Sequence, residues 1–178
     1  MCDVGESTNC VGMLGSAETI VKLGELIQKH KIDKVVVDPV MVSTSGAQLL
    51  PHEAIAQLSK EILPYTTLLT PNIPEAKLLL SENGKEVPEI NDVEGLEELA
   101  KRIKELGPKW VLVKGGHIPF TKDFKVAEKD EDKKFVVDVL LGEEVKRVVS
   151  PWQESTSTHG TGCSLACKCL TRDGLVQS

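Results

Sequence analysis

The sequence predicts an α/β fold built around a largely parallel sheet, and three observations carry the prediction. Apolar residues switch repeatedly between helical and strand periods along the chain. Two short runs, Val35-Val36-Val37 and Trp110-Val111-Leu112-Val113, are apolar at every position, as strands buried on both faces are. Between them lie helix-length amphipathic segments with recognisable start signals, the alternation that βαβ units require.

The elements follow in order. Ser16 is placed to cap a helix running to about His30, with Ile20, Leu23 and Ile27 on one face. Lys34-Val35-Val36-Val37-Asp38 is a buried strand ending in a carboxylate. Pro51 opens a second helix, whose Ile55, Leu58 and Ile62 recur at helical spacing until Pro64 stops it. Thr67 to Thr70 form a short strand into the turn Pro71-Asn72, and a helix from about Pro74 to Leu80 follows. A strongly amphipathic helix then runs from Asp92 through Val93, Leu96, Leu99, Ile103 and Leu106 to Gly107. Trp110 to Lys114 is the next buried strand. The mostly charged stretch from Thr121 to Lys134 reads as a solvated loop. Phe135 to Leu141 and Val145 to Val149, separated by Gly142, read as an antiparallel pair attached to the sheet. No internal repeat and no clear linker interrupts the series, so a single domain is expected.

The chemistry concentrates near the C-terminus, at Ser157-Thr158-His159-Gly160-Thr161-Gly162-Cys163. Gly160 and Gly162 let backbone N–H groups turn toward one point, and a helix start there favours a phosphate. Cys163 at that helix end would have a depressed thiol pKa. The plain alternative is a glycine turn before a buried cysteine. In open α/β sheets ligands gather beyond the carboxyl ends of the strands. Asp38, Asn72 with Glu75, Lys114-Gly115-Gly116-His117 and the HGTGC loop all follow strands or apolar runs, so they are expected on one rim. Each has a structural reading too: a turn cap for Asp38, an Asn cap with Glu three residues on for Asn72 and Glu75, and a strand-ending turn for Gly115-Gly116.

Composition narrows the classes. A chain of 178 residues, 40% hydrophobic, suits one domain with a real core. A net charge of -6 and a pI near 5.3 argue against nucleic acid as a partner. No apolar run approaches the roughly 20 residues that span a bilayer, and five irregularly spaced cysteines do not form a disulfide framework, so a cytoplasmic protein without a membrane partner is expected. His159, Cys163, Cys167 and Cys169 make an H-x3-C-x3-C-x-C run, but Cys169 would leave the helix face and no paired CxxC supports a zinc site. Neither a Walker loop nor a GxGxxG fingerprint is present.

Taken together, GMLGSAETI, VVVDPVMVSTSGAQLL, LLTPNIPEAKLL, VLVKGGH and STSTHGTGCSLA resemble, in order and approximate spacing, the hydroxymethylpyrimidine and phosphomethylpyrimidine kinases of thiamine biosynthesis, members of the ribokinase-like superfamily. The resemblance runs from about Val11 to about Ala166. It implies a three-layer α/β/α fold, incomplete at both termini, with residues 1–178 forming one partial domain. It implies ATP and Mg²⁺, a small-molecule pyrimidine substrate, and phosphorylation of its hydroxymethyl group and then of the monophosphate. Gly160, Thr161, Gly162 and Cys163 match the family's anion hole and catalytic residue. Asn72 and Glu75 match the motif that organises Mg²⁺ near the phosphates, Asp38 matches a strand-end carboxylate handling metal or phosphate, and Lys114, Gly115 and Gly116 match a nucleotide-side strand end. Met13 and Val42 match substrate-pocket positions.

Family members begin well before the GMLGS segment and continue beyond the GTGC helix, so the chain reads as truncated at both ends. Little or no pyrimidine turnover is then expected of it, and exposed sheet edge admits a homo-oligomer. A pyridoxal or pyridoxamine kinase, and a non-catalytic relic pairing with an intact paralogue, are the competing readings.

Overall fold

The computed structural model describes residues 8–12, 14–42, 48–116 and 118–153. Six strands form one mixed sheet in the order of the chain, β1 (Thr8–Val11), β2 (Lys34–Val37), β3 (Leu68–Leu69), β4 (Trp110–Val113), β5 (Phe135–Leu141) and β6 (Val145–Pro151). The first four pair in parallel, and β4–β5 and β5–β6 are antiparallel. β1 was not expected: its four residues carry one aliphatic side chain, and pairing with β2 rather than local propensity makes them a strand.

Four helices connect the parallel strands: α1 (Ala17–His30), α2 (His52–Glu61), α3 (Ile73–Glu82) and α4 (Val93–Lys104). All four pack on one face of the sheet, as crossovers of the usual right hand that advance in one direction require. Their apolar stripes, among them Ile20, Ile55, Leu58, Leu79, Leu96, Leu99 and Ile103, meet Val35, Val37, Leu69, Val111, Val113, Val137 and Val139 in one continuous core. On the other face Val36 and Leu68 are buried, flanked by half-buried Trp110, Leu112 and Leu140. The described residues thus form two layers of the expected three. β2 is buried on both faces, whereas β4 is fully buried only on the helix side, which corrects the two-sided reading of its sequence.

The helix ends follow their cap chemistry. Ser16 accepts from Thr19 N–H, and Asp92 accepts from Gly95 N–H at 2.9 Å. α2 ends at Glu61, and Pro64 lies beyond it in the 3₁₀ turn Leu63–Tyr65. There the missing proline N–H prevents a further α-helical bond. α4 ends at Lys104, and the chain turns into β4 through Gly107 at φ +124°, a value L side chains avoid.

The charged segment after Phe120 is more anchored than its composition suggests. Phe120 is fully buried, Phe124 stacks on Phe135 with ring centroids 5.9 Å apart, and Val126 packs against the core. Residues 128–132 are exposed, as expected of a solvated loop.

Candidate active site

Three strand ends and one helix start build a polar cluster at the carboxyl rim of the parallel sheet. Side chains alternate across a strand, so Asp38, two residues past Val36, and Thr70, two past Leu68, lie on the face away from the helices. Lys114, two past Leu112, shares that face. The ladder continues past the formal strand ends, since Asp38 N–H donates to Val11 C=O, Thr70 N–H to Val37 C=O and Lys114 N–H to Pro71 C=O, each at 2.9 Å. These side chains therefore stand on sheet backbone rather than on free loop.

Lys114 Nζ donates to Asp38 Oδ1 at 2.8 Å, and Thr70 Oγ1 donates to the same oxygen at 3.1 Å. Asp38 is 4% exposed and the Lys114 side chain 18% exposed, so the pair is largely withdrawn from water. A buried carboxylate of this kind is tolerated because a cation and a hydroxyl compensate it.

Asn72 and Glu75 form a complete capping box at the start of α3. Glu75 N–H donates to Asn72 Oδ1 at 2.8 Å, and Asn72 N–H donates to Glu75 Oε2 at 2.9 Å. The structural reading of this motif is thus realised. It does not exhaust the motif, because Glu75 is 3% exposed and feels both Lys114 and Asp38. Burial raises its pKa above the ordinary glutamate value, hydrogen bonding from the Asn72 backbone and the charge of Lys114 pull it down, Asp38 pushes it up, and the Met41 backbone pulls it down.

The turn after β4 is fixed by β5. Gly115 N–H donates to Asp138 Oδ1 at 2.8 Å, and a Cβ on Gly115 would stand 1.8 Å from the Val137 carbonyl oxygen. Close backbone approach to β5 accounts for this glycine. Gly116 is exposed and has no heavy atom near its Cβ position. Val42 is half-buried, bridges to Gln48 and packs against the core.

Asp38, Asn72, Glu75 and Lys114 are therefore together, as expected from strand ends on one rim. Thr70 and Asp138 join them without having been foreseen, although the lone carboxylate inside FVVDVLL was a visible signal. Met13, His117, Gly160, Thr161, Gly162 and Cys163 lie outside the described residues, as do His159, Cys167 and Cys169.

The comparisons with known proteins agree with this architecture. A Schizosaccharomyces pombe protein provisionally named hydroxymethylpyrimidine/phosphomethylpyrimidine kinase 2 is 42% identical over 156 residues, covering 87% of this chain and 28% of that protein. The solved ADP complex of Bacillus subtilis pyridoxal kinase superposes with a TM-score of 0.71 at 28% identity, over 92% of this chain and 55% of that one. Phosphomethylpyrimidine kinase from Clostridium difficile 630 gives a TM-score of 0.63 at 32% identity, over 93% of this chain and 62% of that one. The chain thus spans 28% to 62% of the length of these relatives. A strand-end carboxylate, a capped helix and a lysine turn on one rim accompany a match of residues 2–172 to the phosphomethylpyrimidine kinase family model, and the chain belongs to that family.

Proposed function

We propose that this chain carries the phosphate-handling rim of an ATP-dependent kinase that phosphorylates the hydroxymethyl group of a small pyrimidine, and then the monophosphate, in thiamine biosynthesis. The observation that supports it most is the Asp38–Lys114 pair, an ammonium held at 2.8 Å from a buried carboxylate beyond the ends of parallel strands. Phosphoryl transfer needs little covalent help from a protein. It needs charge placed in advance around the phosphates.

In this reading Lys114 is the cation offered to the phosphates, already oriented by Asp38, whose carboxylate Thr70 also holds. Asp38 and Glu75 are neighbouring carboxylates with hard oxygen donors, a set that suits Mg²⁺ delivered with a nucleotide. Among the described residues no group of three or more His, Cys, Asp or Glu side chains would make a resident metal cage. When bound, Mg²⁺ neutralises charge on the phosphates and aligns them. Asn72 fixes where Glu75 stands by closing the cap. Gly160, Thr161, Gly162 and Cys163 are assigned by resemblance to the anion hole and to accepting the substrate's hydroxyl proton, and Met13 with Val42 to the pyrimidine pocket. Phosphate reaches this rim as part of a small molecule, in keeping with the chain's acidic balance. None of the helices among the described residues is long and apolar enough to cross a membrane.

The test is titration calorimetry of MgATP against the full chain and against Lys114→Met. The reading expects K114M to bind at least about tenfold more weakly, the loss of one charge-assisted contact to phosphate. Equal affinity of the two proteins, or none in either, removes it. Pyridoxal kinase is the second reading, favoured by the higher TM-score of the B. subtilis pyridoxal kinase. Calorimetric binding of hydroxymethylpyrimidine and not of pyridoxal to the chain in the presence of MgATP decides for the first.

A further inference from the structure

Asp138 interrupts an apolar strand for a reason that the rim itself supplies. β5 reads Phe135-Val136-Val137-Asp138-Val139-Leu140-Leu141, and only position 138 is polar. Val137 and Val139 face the helices and are fully buried, so Asp138 lies on the same face as Leu140, Leu112 and Lys114. A carboxylate there loses hydration, and burial raises its pKa while Gly115 N–H and the charge of Lys114 oppose the rise. The chain accepts this cost at the point where β5 meets the turn that carries Lys114.

Lys114 N–H donates to Pro71 C=O and Ile118 N–H to Gly115 C=O, each at 2.9 Å, and β5 adds two contacts of its own to the turn. The Val137 carbonyl presses so closely on Gly115 that no side chain fits, and Asp138 Oδ1 accepts Gly115 N–H at 2.8 Å. Lys114 immediately precedes this anchored peptide and sends its ammonium the other way, across to Asp38. Its position is thus set from both sides, by a carboxylate it pairs with and by a carboxylate that holds its neighbour.

We propose that Asp138 is a positioning residue for the phosphate rim, holding the Lys114-Gly115 peptide so that the Lys114 ammonium stays at Asp38. This rests on the kinase reading for its consequence but not for its geometry, and the experiment separates the two. The full chain and the variants Asp138→Ala, Asp138→Asn and Asp138→Glu are labelled with trace acetic anhydride, and acetylation of each lysine is followed by peptide mass spectrometry, with MgATP affinity and melting temperature measured in parallel.

In D138A the peptide loses its acceptor, and Lys114 is expected to label about threefold faster as its ammonium leaves the buried pair, while exposed Lys22 labels as before. D138N keeps an oxygen acceptor of the same shape and should restore the slow rate. D138E keeps the charge but displaces it by one methylene, and should behave like D138A. MgATP affinity should follow the same order, with D138A about tenfold weaker than D138N. A lower melting temperature with Lys114 labelling unchanged in D138A and D138E would mean a purely structural carboxylate and overturns the proposal. If D138A does not fold, D138E carries the same decision. If the unsubstituted chain binds no MgATP, the kinase reading falls, and the labelling order still decides the role of Asp138.

Discussion

Replacing Gly115 by alanine tests the rim through its tightest contact. The added Cβ would lie 1.8 Å from the Val137 carbonyl oxygen and 2.8 Å from its carbon, where real Cβ atoms keep beyond 3.0 Å. More than an ångström must be found, and both partners are backbone. β5 cannot retreat without opening the ladder Val111↔Leu141, Leu112↔Leu140 and Val113↔Val139, and the turn cannot retreat without leaving Asp138. Overpacking commonly costs about 1–3 kcal/mol, and each ladder bond given up adds about 1 kcal/mol, so a loss of about 3 kcal/mol or more is expected. For a chain of this size that lowers the melting temperature by about 6–12 °C. The control is Gly116→Ala, one residue away, whose Cβ meets nothing within 4 Å. It should change stability by less than about 0.5 kcal/mol. Urea and thermal unfolding of the two variants give the comparison directly. If G115A is as stable as G116A, the close approach of β4 and β5 does not exist as described, and the anchoring of Lys114 through Gly115 goes with it.

Two further perturbations probe the charges. Lys114→Met removes the ammonium that pairs with the buried Asp38 carboxylate and should cost about 3 kcal/mol in urea unfolding, whereas adding Asp38→Asn in the same chain should recover part of it; strictly additive losses would show that the pair is not coupled. Glu75→Gln keeps an oxygen for the Asn72 N–H and removes the charge. Because burial raises the Glu75 pKa above its unfolded value, the native state holds the proton longer, and this group's contribution to stability falls as pH rises through the window above about 4.5. The stability of E75Q relative to the unsubstituted chain should therefore rise between pH 4.5 and 7, and a flat or falling difference contradicts the assignment.

What the sequence made legible was whatever a single segment decides. The helices of residues 17–30 and 93–104 could be placed because their caps, Ser16 and Asp92, and their apolar stripes are local. β2 and β4 could be placed because their apolar runs are too short for a helix and rich in β-branched valine. β1 could not, since Thr8 to Val11 become a strand only beside Lys34 to Val37. The charged composition after Phe120 likewise hid the stacking of Phe124 on Phe135, which depends on a contact eleven residues apart in sequence. In the site, strand-end position brought Asp38 and Lys114 to one rim, but Thr70 and Asp138 entered through cross-strand register. Register is a property of pairs of strands, and no single strand states it.

The capping box bears most directly on how structural and functional readings relate. Asn72 and Glu75 satisfy the N-terminus of α3 completely, which taken alone would make the motif a helix signal and nothing more. Yet a cap is also a way to hold a carboxylate still. With Oε2 fixed by the Asn72 N–H, the Glu75 side chain cannot follow solvent, and it is kept 3% exposed beside Lys114 and Asp38. The positive end of the helix favours its charge while burial opposes it. A group balanced in this way responds strongly to any cation or anion brought to the rim, whereas an exposed carboxylate would respond through screening water. The helix signal and the candidate ligand are therefore one device: the box supplies the rigidity, and the neighbouring strand ends supply the charges that make rigidity useful.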